Sequence, residues 1–467
     1  MLKKLIVYFF LYVFTAGIVL SIFLLTPTDS THFPIIRFII VIFATILLIK
    51  YFIYMFVSPW YDVSLAFKEY KQRKLLAGIP YEPKVSVLVP AWNEGAGLIG
   101  TLKSLMESSY KNLEVIIIDN ASVDSTEKNV KALIVEHNKT KIRGEKNIEL
   151  IYVKESRQGK GYALNTGIDI STGEIIISID ADCSVPSFTV QNFVNRFKDS
   201  KVMAVVGNVK IGNTQTLIGV VQYLEFLFSF YFKKSDSVFG SIYIIGGAAG
   251  AFRRKIFKKL GGYSVSNLTE DIELSFRIQT AGMKIVYAED AVVYTEGASD
   301  FKGLIKQRLR WKRGRFETFF NNRHLFFSTD KKHNKILSWF ILPLAVFGDL
   351  QLFLELFFIV FVYIYSYLTS DYSSFISGIV VVSSMFAVQI IFDTHKKKSF
   401  RLILLAPIAW LLFYASTFVE FSALIKSFWG YLRKEKGEWQ IWARKGVCVT
   451  AGDEEESKNV KDESTSI

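Results

Sequence analysis

Two carboxylates, Asp180 and Asp182, end an apolar, β-branched run that begins at Ile175. The length and composition of this run predict a buried central strand of a parallel sheet, and such sheets bind ligands beyond the carboxyl ends of their strands. Two acids at that place repel each other unless a cation joins them, and their hard oxygens suit a Mg²⁺ or Mn²⁺ ion that carries a diphosphate. The alternative is a strand end with two solvated aspartates, because this motif alone is weak evidence.

Polar residues also follow the first two predicted strands. Trp92 and Glu94 follow the first, where a ring could stack on a nucleotide base and a carboxylate could hydrogen-bond it; an ordinary polar turn is the alternative. Asp119 ends the second strand, and an acid there is well placed for a base or a ribose hydroxyl. Its neighbours Ser122 and Asp124 could cap the next helix, and both roles are compatible.

Three further motifs carry charged residues at predicted helices. Lys160 stands at a helix start, where it suits a phosphate or a base carbonyl unless it is simply solvated. Asp271, after Thr269 and Glu270, begins an amphipathic helix; it could act as a general base in a cleft, or the acids could merely interact with the helix dipole.

The third motif, residues 307–311, lies in the basic segment Lys302–Arg315. One interpretation is an interfacial helix on anionic lipid. The other assigns Arg310 to a diphosphate, as a charge-assisted contact, and Trp311 to stacking on a sugar ring.

The elements that must position these residues alternate between strand and helix, which predicts a parallel sheet covered on both faces. The predicted strands are Val85–Val89, Leu113–Asp119, Ile148–Lys154 and Glu174–Asp180, and the predicted helices are Gly97–Ser108, Ser125–His137 and Gly161–Ile170.

The composition separates this middle part from both ends of the chain. Hydrophobic residues make up 51% of the 467 residues, and nearly uncharged runs of about 20 residues are better explained by a bilayer than by a core. The net charge of +13 favours lipid contact by basic loops, since no nucleic-acid-binding module is visible. Two cysteines, Cys183 and Cys448, form no metal or disulfide pattern, which predicts a cytosolic globular part.

The apolar runs predict a membrane hairpin before the α/β domain and further spans after it. The runs are Leu5–Leu25, Ile35–Val57, Ile336–Leu368, Phe375–Phe392 and Leu402–Phe428. Pro343 and Asp349 could break the third run into a half-helix and a span, and the basic loops leave the C-terminal topology ambiguous by one crossing. The predicted organisation is a transmembrane hairpin (1–60), a cytosolic linker (61–83), a catalytic domain (84–300), an interfacial basic amphipathic segment (301–335), transmembrane helices (336–430) and a cytosolic tail (431–467) with a disordered end.

With these motifs in this order, the chain resembles the membrane-integrated family 2 glycosyltransferases, and most closely the processive synthases of cellulose, hyaluronan and poly-N-acetylglucosamine. The resemblance spans about Leu5 to Arg444, and the combination of motifs is far more specific than any one of them. It implies an α/β GT-A (Rossmann-like) catalytic domain with N- and C-terminal transmembrane helices, in a multi-pass protein of the cell membrane whose catalytic domain is cytosolic.

The resemblance also implies roles for the motif residues. The nucleotide-sugar is bound at the uridine by Trp92, Glu94, Asp119 and Asp180, at the base or phosphate by Lys160, and at the leaving diphosphate by Gln307 and Arg310. Asp182 holds Mg²⁺ or Mn²⁺, and Asp271 is the general base. The acceptor is contacted by Trp311, Gly247 and Glu270. The expected partners are a nucleotide-sugar donor, a polysaccharide or lipid acceptor and membrane lipids, with no nucleic acid.

Two departures from the family pattern stand out. Asn120 occupies a position where an acid is common, and the loop 244–250 lacks the cysteine of cellulose synthases, which argues against cellulose; the role of Arg253 after that loop is open. Inverting transfer to a polysaccharide, with possible coupled translocation, is the leading hypothesis. Transfer of one sugar to a lipid, as in ceramide glucosyltransferase-like enzymes, and a non-catalytic scaffold or transport protein are the alternatives.

Overall fold

The computed structural model of the protein describes residues 34–75, 81–95, 97–140, 148–393 and 402–433, together with Ile6, Phe9, Val13 and Gly17. The predicted membrane helix Leu5–Leu25, apart from these four positions, lies outside the described residues. So do Cys448 and the predicted tail beyond residue 433.

A single eight-stranded sheet forms the centre of the α/β domain, in the order β3-β2-β1-β4-β7-β6-β8-β5. The strands are β1 (Val85–Ala91), β2 (Leu113–Asn120), β3 (Glu149–Glu155), β4 (Ile175–Ser178), β5 (Cys183–Ser184), β6 (Val202–Ile211), β7 (Gly250–Arg253) and β8 (Lys284–Thr295). The first four strands pair in parallel, as the alternation of elements predicts.

The expectation of a wholly parallel sheet is wrong, because β7 runs antiparallel to both β4 and β6, and β5 runs antiparallel to β8. β7 follows a loop that ties back onto the carboxyl end of β4, so the chain re-enters the sheet from that end and must run the opposite way. The sheet is therefore mixed.

Helices cover both faces of the sheet and extend beyond it. They are α1 (Pro34–Leu75), α2 (Gly97–Met106), α3 (Thr126–Thr140), α4 (Lys160–Ile170), α5 (Thr189–Arg196), α6 (Leu217–Phe239), α7 (Lys255–Leu260), α8 (Glu270–Thr280), α9 (Phe301–Asn321), α10 (Leu342–Thr369), α11 (Ser373–Ile391) and α12 (Ala409–Leu432).

The core lies on both sides of the sheet because successive strand residues point to opposite faces. Val87 and Ile177 pack in the apolar cluster on one face, while Leu88 and Ile176 pack in the cluster on the other. All four are fully buried. This two-sided packing makes the carboxyl ends of β1, β2 and β4 a rigid edge on which a site can be built.

Helix α1 continues past the apolar run into residues 58–75, most of which were expected to form a linker, and packs on the α/β domain. The Tyr61 hydroxyl donates to the backbone oxygen of Tyr287 at 2.8 Å, and the hydroxyls of Ser58 and Ser235 lie 2.8 Å apart. These buried contacts fix the helix to β8 and α6.

Two helical stretches among the described residues are long and apolar enough to cross a membrane, Leu337–Thr369 and Ile403–Gly430, and Phe375–Ile391 is a shorter apolar helix. The first stretch has no break at Pro343 or Asp349. A π turn over Leu337–Ile341 leads into α10, and Pro343 lies in its first turn, where a missing N–H is tolerated.

Candidate active site

The loops after β1 and β2 are joined by side-chain hydrogen bonds. The Asn93 backbone N–H donates to the Ser122 hydroxyl at 2.9 Å, the Asn93 side-chain oxygen accepts from the Val123 N–H at 2.9 Å, and the Gly95 N–H donates to Asp124 at 3.1 Å. Asp124 also accepts from the Thr126 N–H at 3.0 Å and so caps α3. These hydrogen bonds between the two loops hold the half-buried Trp92 and Glu94 at the sheet edge.

Asp119 is fully buried at the end of β2, and contacts from two elements orient its carboxylate. The Tyr152 hydroxyl of β3 donates to Oδ2 at 2.7 Å, and the Ser122 backbone N–H donates to Oδ1 at 2.9 Å. Burial, together with the adjacent carboxylate, raises the pKa of Tyr152 above its ordinary value. The tyrosine therefore stays a hydrogen-bond donor to Asp119.

Asn120 has a structural role that an acid could not fill. Its side-chain oxygen accepts from the Gly159 N–H and its amide donates to the Arg157 backbone oxygen, both at 2.7 Å. A carboxylate has no N–H to donate to a carbonyl. Asn120 thus shapes the turn before Lys160, in which Gly159 has a φ of 138° that favours glycine.

Four charged side chains form what we call the catalytic cluster: Lys160, Asp180, Glu270 and Asp271. The Lys160 Nζ lies 2.5 Å from Asp180 Oδ1 and 3.4 Å from Glu270 Oε1. Burial alone would lower the pKa of Lys160, but the three carboxylates outweigh that effect and raise it. Only 15% of the Lys160 side chain is exposed, so this residue is not a solvated lysine.

Asp271 is held by backbone donors on two sides. The Gly247 N–H donates to its Oδ2 at 2.9 Å, and the Ile272 N–H donates to its Oδ1 at 2.8 Å. Both carboxylate oxygens therefore accept from neutral donors, which fixes the side chain without adding a positive charge. The acids do lie at the N-terminus of α8, as the dipole interpretation requires, but Asp271 also faces the loop 244–250.

That loop approaches the catalytic cluster closely. The Ser178 hydroxyl donates to the Gly247 backbone oxygen at 3.0 Å, and the Ile245 N–H donates to the Ser275 hydroxyl at 2.9 Å. A Cβ on Gly247 would lie 2.7 Å from the Lys160 Nζ and 3.6 Å from Asp271 Oδ2. Glycine leaves room for the lysine here, because a methyl group would displace either the Lys160 ammonium or the loop.

Asp182 lies beside the catalytic cluster and is 5% exposed. The Thr295 hydroxyl of β8 donates to its Oδ1 at 3.4 Å. In the part of the chain that the structure describes, no group of three or more acidic, histidine or cysteine side chains could hold a metal ion. The carboxylate oxygens of Asp182 still suit Mg²⁺ or Mn²⁺, provided that a bound diphosphate supplies further ligands.

Helix α9 carries Gln307, Arg310 and Trp311, and of these three Arg310 acts on the catalytic cluster. At Gly314 the helix packs so tightly on Thr269 that a Cβ would collide with that side chain. Burial raises the pKa of Glu270, while the charges of Lys160 and Arg310 oppose the rise, so Arg310 acts on the catalytic cluster. The Gln307 Oε1 is buried and accepts no hydrogen bond from the described residues.

Arg253 does not belong to this site. Its Nε donates to the Val202 backbone oxygen at 2.8 Å, and its Nη1 lies 2.7 Å from the Glu174 carboxylate. In the sheet register it opposes Ile175, at the start of β4, whereas Asp180 follows the end of that strand. Arg253 therefore ties strands together at the other edge.

Sequence reasoning missed three residues that support the loop 244–250. Ser178 and Ser275 bond it directly, and the half-buried Lys233 of α6 donates to the Ile244 backbone oxygen at 3.0 Å. Ser275 could have been found, since it stands four residues after Asp271 and so shares its helix face. No local pattern marks Lys233.

Comparisons with known proteins agree with this geometry. Residues 83–314 match the family described as glycosyltransferase like family 2. The chain therefore belongs to the family 2 glycosyltransferases, through a domain that covers the sheet and the motif on α9.

Two curated relatives are similar over about half of the chain. The chain is 31% identical over 264 residues to a poly-beta-1,6-N-acetyl-D-glucosamine synthase of Staphylococcus epidermidis, covering 55% of this chain and 60% of that protein. It is 29% identical over 252 residues to the synthase of the same name from Staphylococcus aureus strain COL, covering 53% and 57%. The chain thus spans less than two thirds of the length of these relatives.

Among solved structures, a mannosyltransferase from Pyrobaculum calidifontis, in complex with GDP-Man and Mn²⁺, is similar with a TM-score of 0.50 and 20% identity. The match covers 81% of this chain and 99% of that one. This likeness shows the fold, which is GT-A-like with a mixed sheet.

Proposed function

We propose that this chain is an inverting, metal-dependent glycosyltransferase that moves a sugar from a UDP-sugar to a growing polysaccharide at the membrane. The observation that carries the proposal is the catalytic cluster, in which a buried lysine and three carboxylates meet a glycine loop at the carboxyl edge of the sheet. The names of the two curated relatives favour N-acetylglucosamine as the sugar.

In this proposal the edge formed by β1, β2 and β4 binds the nucleotide. Asp119, already aligned by Tyr152, receives the base or ribose, and Trp92 and Glu94 lie in the neighbouring loop. Asp180 faces the nucleoside with Lys160 at its side, so the lysine neutralises the acid close to the phosphates.

The transfer step is a displacement at the anomeric carbon. The acceptor hydroxyl oxygen attacks opposite the nucleotide and forms the new C–O bond, while the bond to the diphosphate breaks and its electron pair leaves with UDP. Asp271 takes the hydroxyl proton as the bond forms, and a positioned base contributes about 10²–10⁴-fold. The neutral donors on Asp271 orient its carboxylate.

The departing diphosphate gains negative charge that the site must stabilise. Arg310, with Gln307 one helical turn before it, would donate to the phosphate oxygens. A Mg²⁺ or Mn²⁺ ion held by Asp182 would neutralise the same charge. The Mn²⁺ in the structure of the similar mannosyltransferase supports a divalent ion.

The acceptor side consists of the glycine loop, Glu270 and Trp311. A glycine loop lets a sugar approach the backbone closely, and the half-buried Trp311 offers an indole for stacking. The two long apolar helices would anchor the domain at the cytosolic face of the cell membrane, and they would allow coupled translocation of a polymer. Membrane lipids are then natural partners.

Transfer of one sugar to a membrane lipid is the second candidate. The apolar helices that follow α9 would give a lipid direct access to Trp311. A non-catalytic scaffold is the third, but scaffolding does not require a buried lysine among three carboxylates, which costs desolvation free energy.

The test is to incubate membranes containing the protein with a panel of UDP-sugars and Mn²⁺ or Mg²⁺, and to measure UDP release and product size. Polymer from UDP-N-acetylglucosamine is the expected result. A single sugar on extractable lipid would establish the second candidate, and no UDP release with any donor would reject enzymatic transfer.

A further inference from the structure

Six charged residues, of which Arg308 is buried and the others are partly buried, form a second cluster next to Trp311, and we call it the helix cluster. Its members are Arg308, Lys312 and Arg315 of α9, Glu225 of α6, Asp349 of α10 and Glu420 of α12. Three cations meet three carboxylates, and the carboxylates come from three different helices. Burying an acid within an apolar helix costs desolvation free energy, so the presence of these acids indicates a specific role.

Arg308 joins this cluster to Trp311. Its guanidinium carbon lies 4.3 Å from the centroid of the Trp311 ring, in a cation–π contact. Its Nη2 lies 2.8 Å from a Glu225 oxygen, and its Nε lies 3.1 Å from a Glu420 oxygen. Because two acids bind different nitrogens of one planar group, the plane that contacts the indole cannot rotate.

Burial supports the same conclusion. Only 2% of the Arg308 side chain is exposed, whereas Trp311 is half-buried. Arg308 therefore covers part of the indole, and the exposed remainder is what an acceptor could reach. Phe226 of α6 lies near the ring, with centroids 6.3 Å apart, and limits its movement further.

The rest of the helix cluster fixes α9 itself. The Lys312 Nζ lies 2.9 Å from Asp349 and 2.8 Å from Glu420, and Arg315 pairs with Asp349. Asp349 is thus shared by Lys312 and Arg315, and Glu420 by Arg308 and Lys312. The helix that carries Trp311 is locked to α10 and α12, which belong to the two stretches of the described chain that are long and apolar enough to cross a membrane.

We propose that Arg308, held by Glu225 and Glu420, is a positioning residue that sets the Trp311 indole as the platform for the acceptor sugar. This inference rests on the proposed function and names a residue that acts through Trp311 rather than on the reacting atoms. In this proposal the helices after the α/β domain set acceptor alignment through Trp311, whereas the nucleoside of the donor is held at the sheet edge.

The test compares donor and acceptor kinetics in two variants and a matched control. Arg308→Lys keeps the charge but loses the planar fork, and Glu225→Gln removes one of the two acids that hold it. Each should raise the KM for short β-1,6-linked N-acetylglucosamine oligosaccharides about tenfold and leave the KM for the UDP-sugar within about twofold. Glu317→Gln, whose carboxylate pairs with Arg313 on the same helix, should change neither value.

Equilibrium binding of the same oligosaccharides to the full chain provides a readout without turnover. We expect a Kd about tenfold higher for Arg308→Lys and Glu225→Gln, and an unchanged Kd for Glu317→Gln. Equal changes in donor and acceptor KM, or wild-type acceptor binding in both variants, would overturn the inference. Absence of UDP release by the unsubstituted chain with every donor would instead reject the proposed function.

Discussion

The catalytic cluster and the helix cluster are both partly buried sets of acids and bases, but their charges balance differently. The helix cluster has three cations for three carboxylates, each bound at salt-bridge distance. The catalytic cluster has one lysine for three carboxylates, with Asp182 as a fourth acid nearby. Even with Arg310, which acts on Glu270, acids outnumber cations there.

In the proposed function this difference separates a cluster that holds helices together from a cluster that binds a ligand. A divalent ion at the diphosphate would add positive charge to the acidic side. The helix cluster needs no further charge, so its contribution is to hold α9. The comparison therefore predicts that metal dependence belongs to the catalytic side alone.

The largest expected effect is on the metal requirement. Chelation should abolish UDP release, and added Mn²⁺ or Mg²⁺ should restore it. Asp182→Asn should lower kcat/KM by about 10²-fold or more, because the charge on the leaving diphosphate loses its counter-ion. Measuring UDP release as a function of metal concentration, for the unsubstituted chain and for Asp182→Asn, tests the metal requirement and the loss of kcat/KM.

Asp349→Asn is the matched variant in the helix cluster. It should lower the thermal stability of the protein, since Lys312 and Arg315 lose a shared acid, but the metal concentration for half-maximal activity should stay unchanged. A shifted metal requirement in this variant would end the distinction between the clusters.

A smaller effect is expected where the loop 244–250 meets Lys160. Gly247→Ala places a methyl group 2.7 Å from the Lys160 Nζ, so activity should fall on the order of tenfold as the lysine or the loop moves. Gly246→Ala is the control, because a Cβ there has no neighbour within 4 Å among the described residues. Equal initial rates of the two variants would contradict the close approach.

The smallest effect concerns α6, which contacts the helix cluster through Glu225 and the loop 244–250 through Lys233. Burial raises the pKa of Asp236 on this helix to about 7. The folded state then binds the proton more tightly than the unfolded chain, whose carboxyl has a pKa of about 4. This contribution to stability is full below about pH 4 and is lost as the pH rises through about 7.

Asp236→Asn should therefore flatten the fall in Tm between these pH values. Thermal unfolding of the purified chain across that range measures the slope. An unchanged slope in the variant would show that another group is responsible.

The positions of the residues that we propose for the donor could be predicted from the sequence, because these residues follow strands with strong local signals. Asp119 and Asp180 come directly after β-branched runs, and parallel strands bring their carboxyl ends to one edge. The strand itself is shorter than the apolar run, however, and ends at Ser178. The antiparallel β7 could not be predicted, since four residues after a glycine-rich loop show no alternation.

The helix cluster could not be derived from local patterns. Glu225 and Glu420 lie far from Arg308 in the chain, and only the packing of α6 and α12 against α9 brings them together. The one available signal was the presence of acids inside apolar segments, such as Asp349 and Glu420. The sequence predicts that Asp349 could break the apolar run. In the structure Asp349 lies inside the continuous helix α10 and pairs with Lys312 and Arg315.

The most direct test of the account is to compare nucleotide binding and UDP release in Asp271→Asn. The amide keeps the size of the side chain but cannot take the acceptor proton. We predict that calorimetric binding of UDP stays within about twofold of the unsubstituted chain while UDP release falls by at least about 10²-fold. UDP release at the unsubstituted rate would contradict the assignment of Asp271 as the base and, with it, the proposed mechanism.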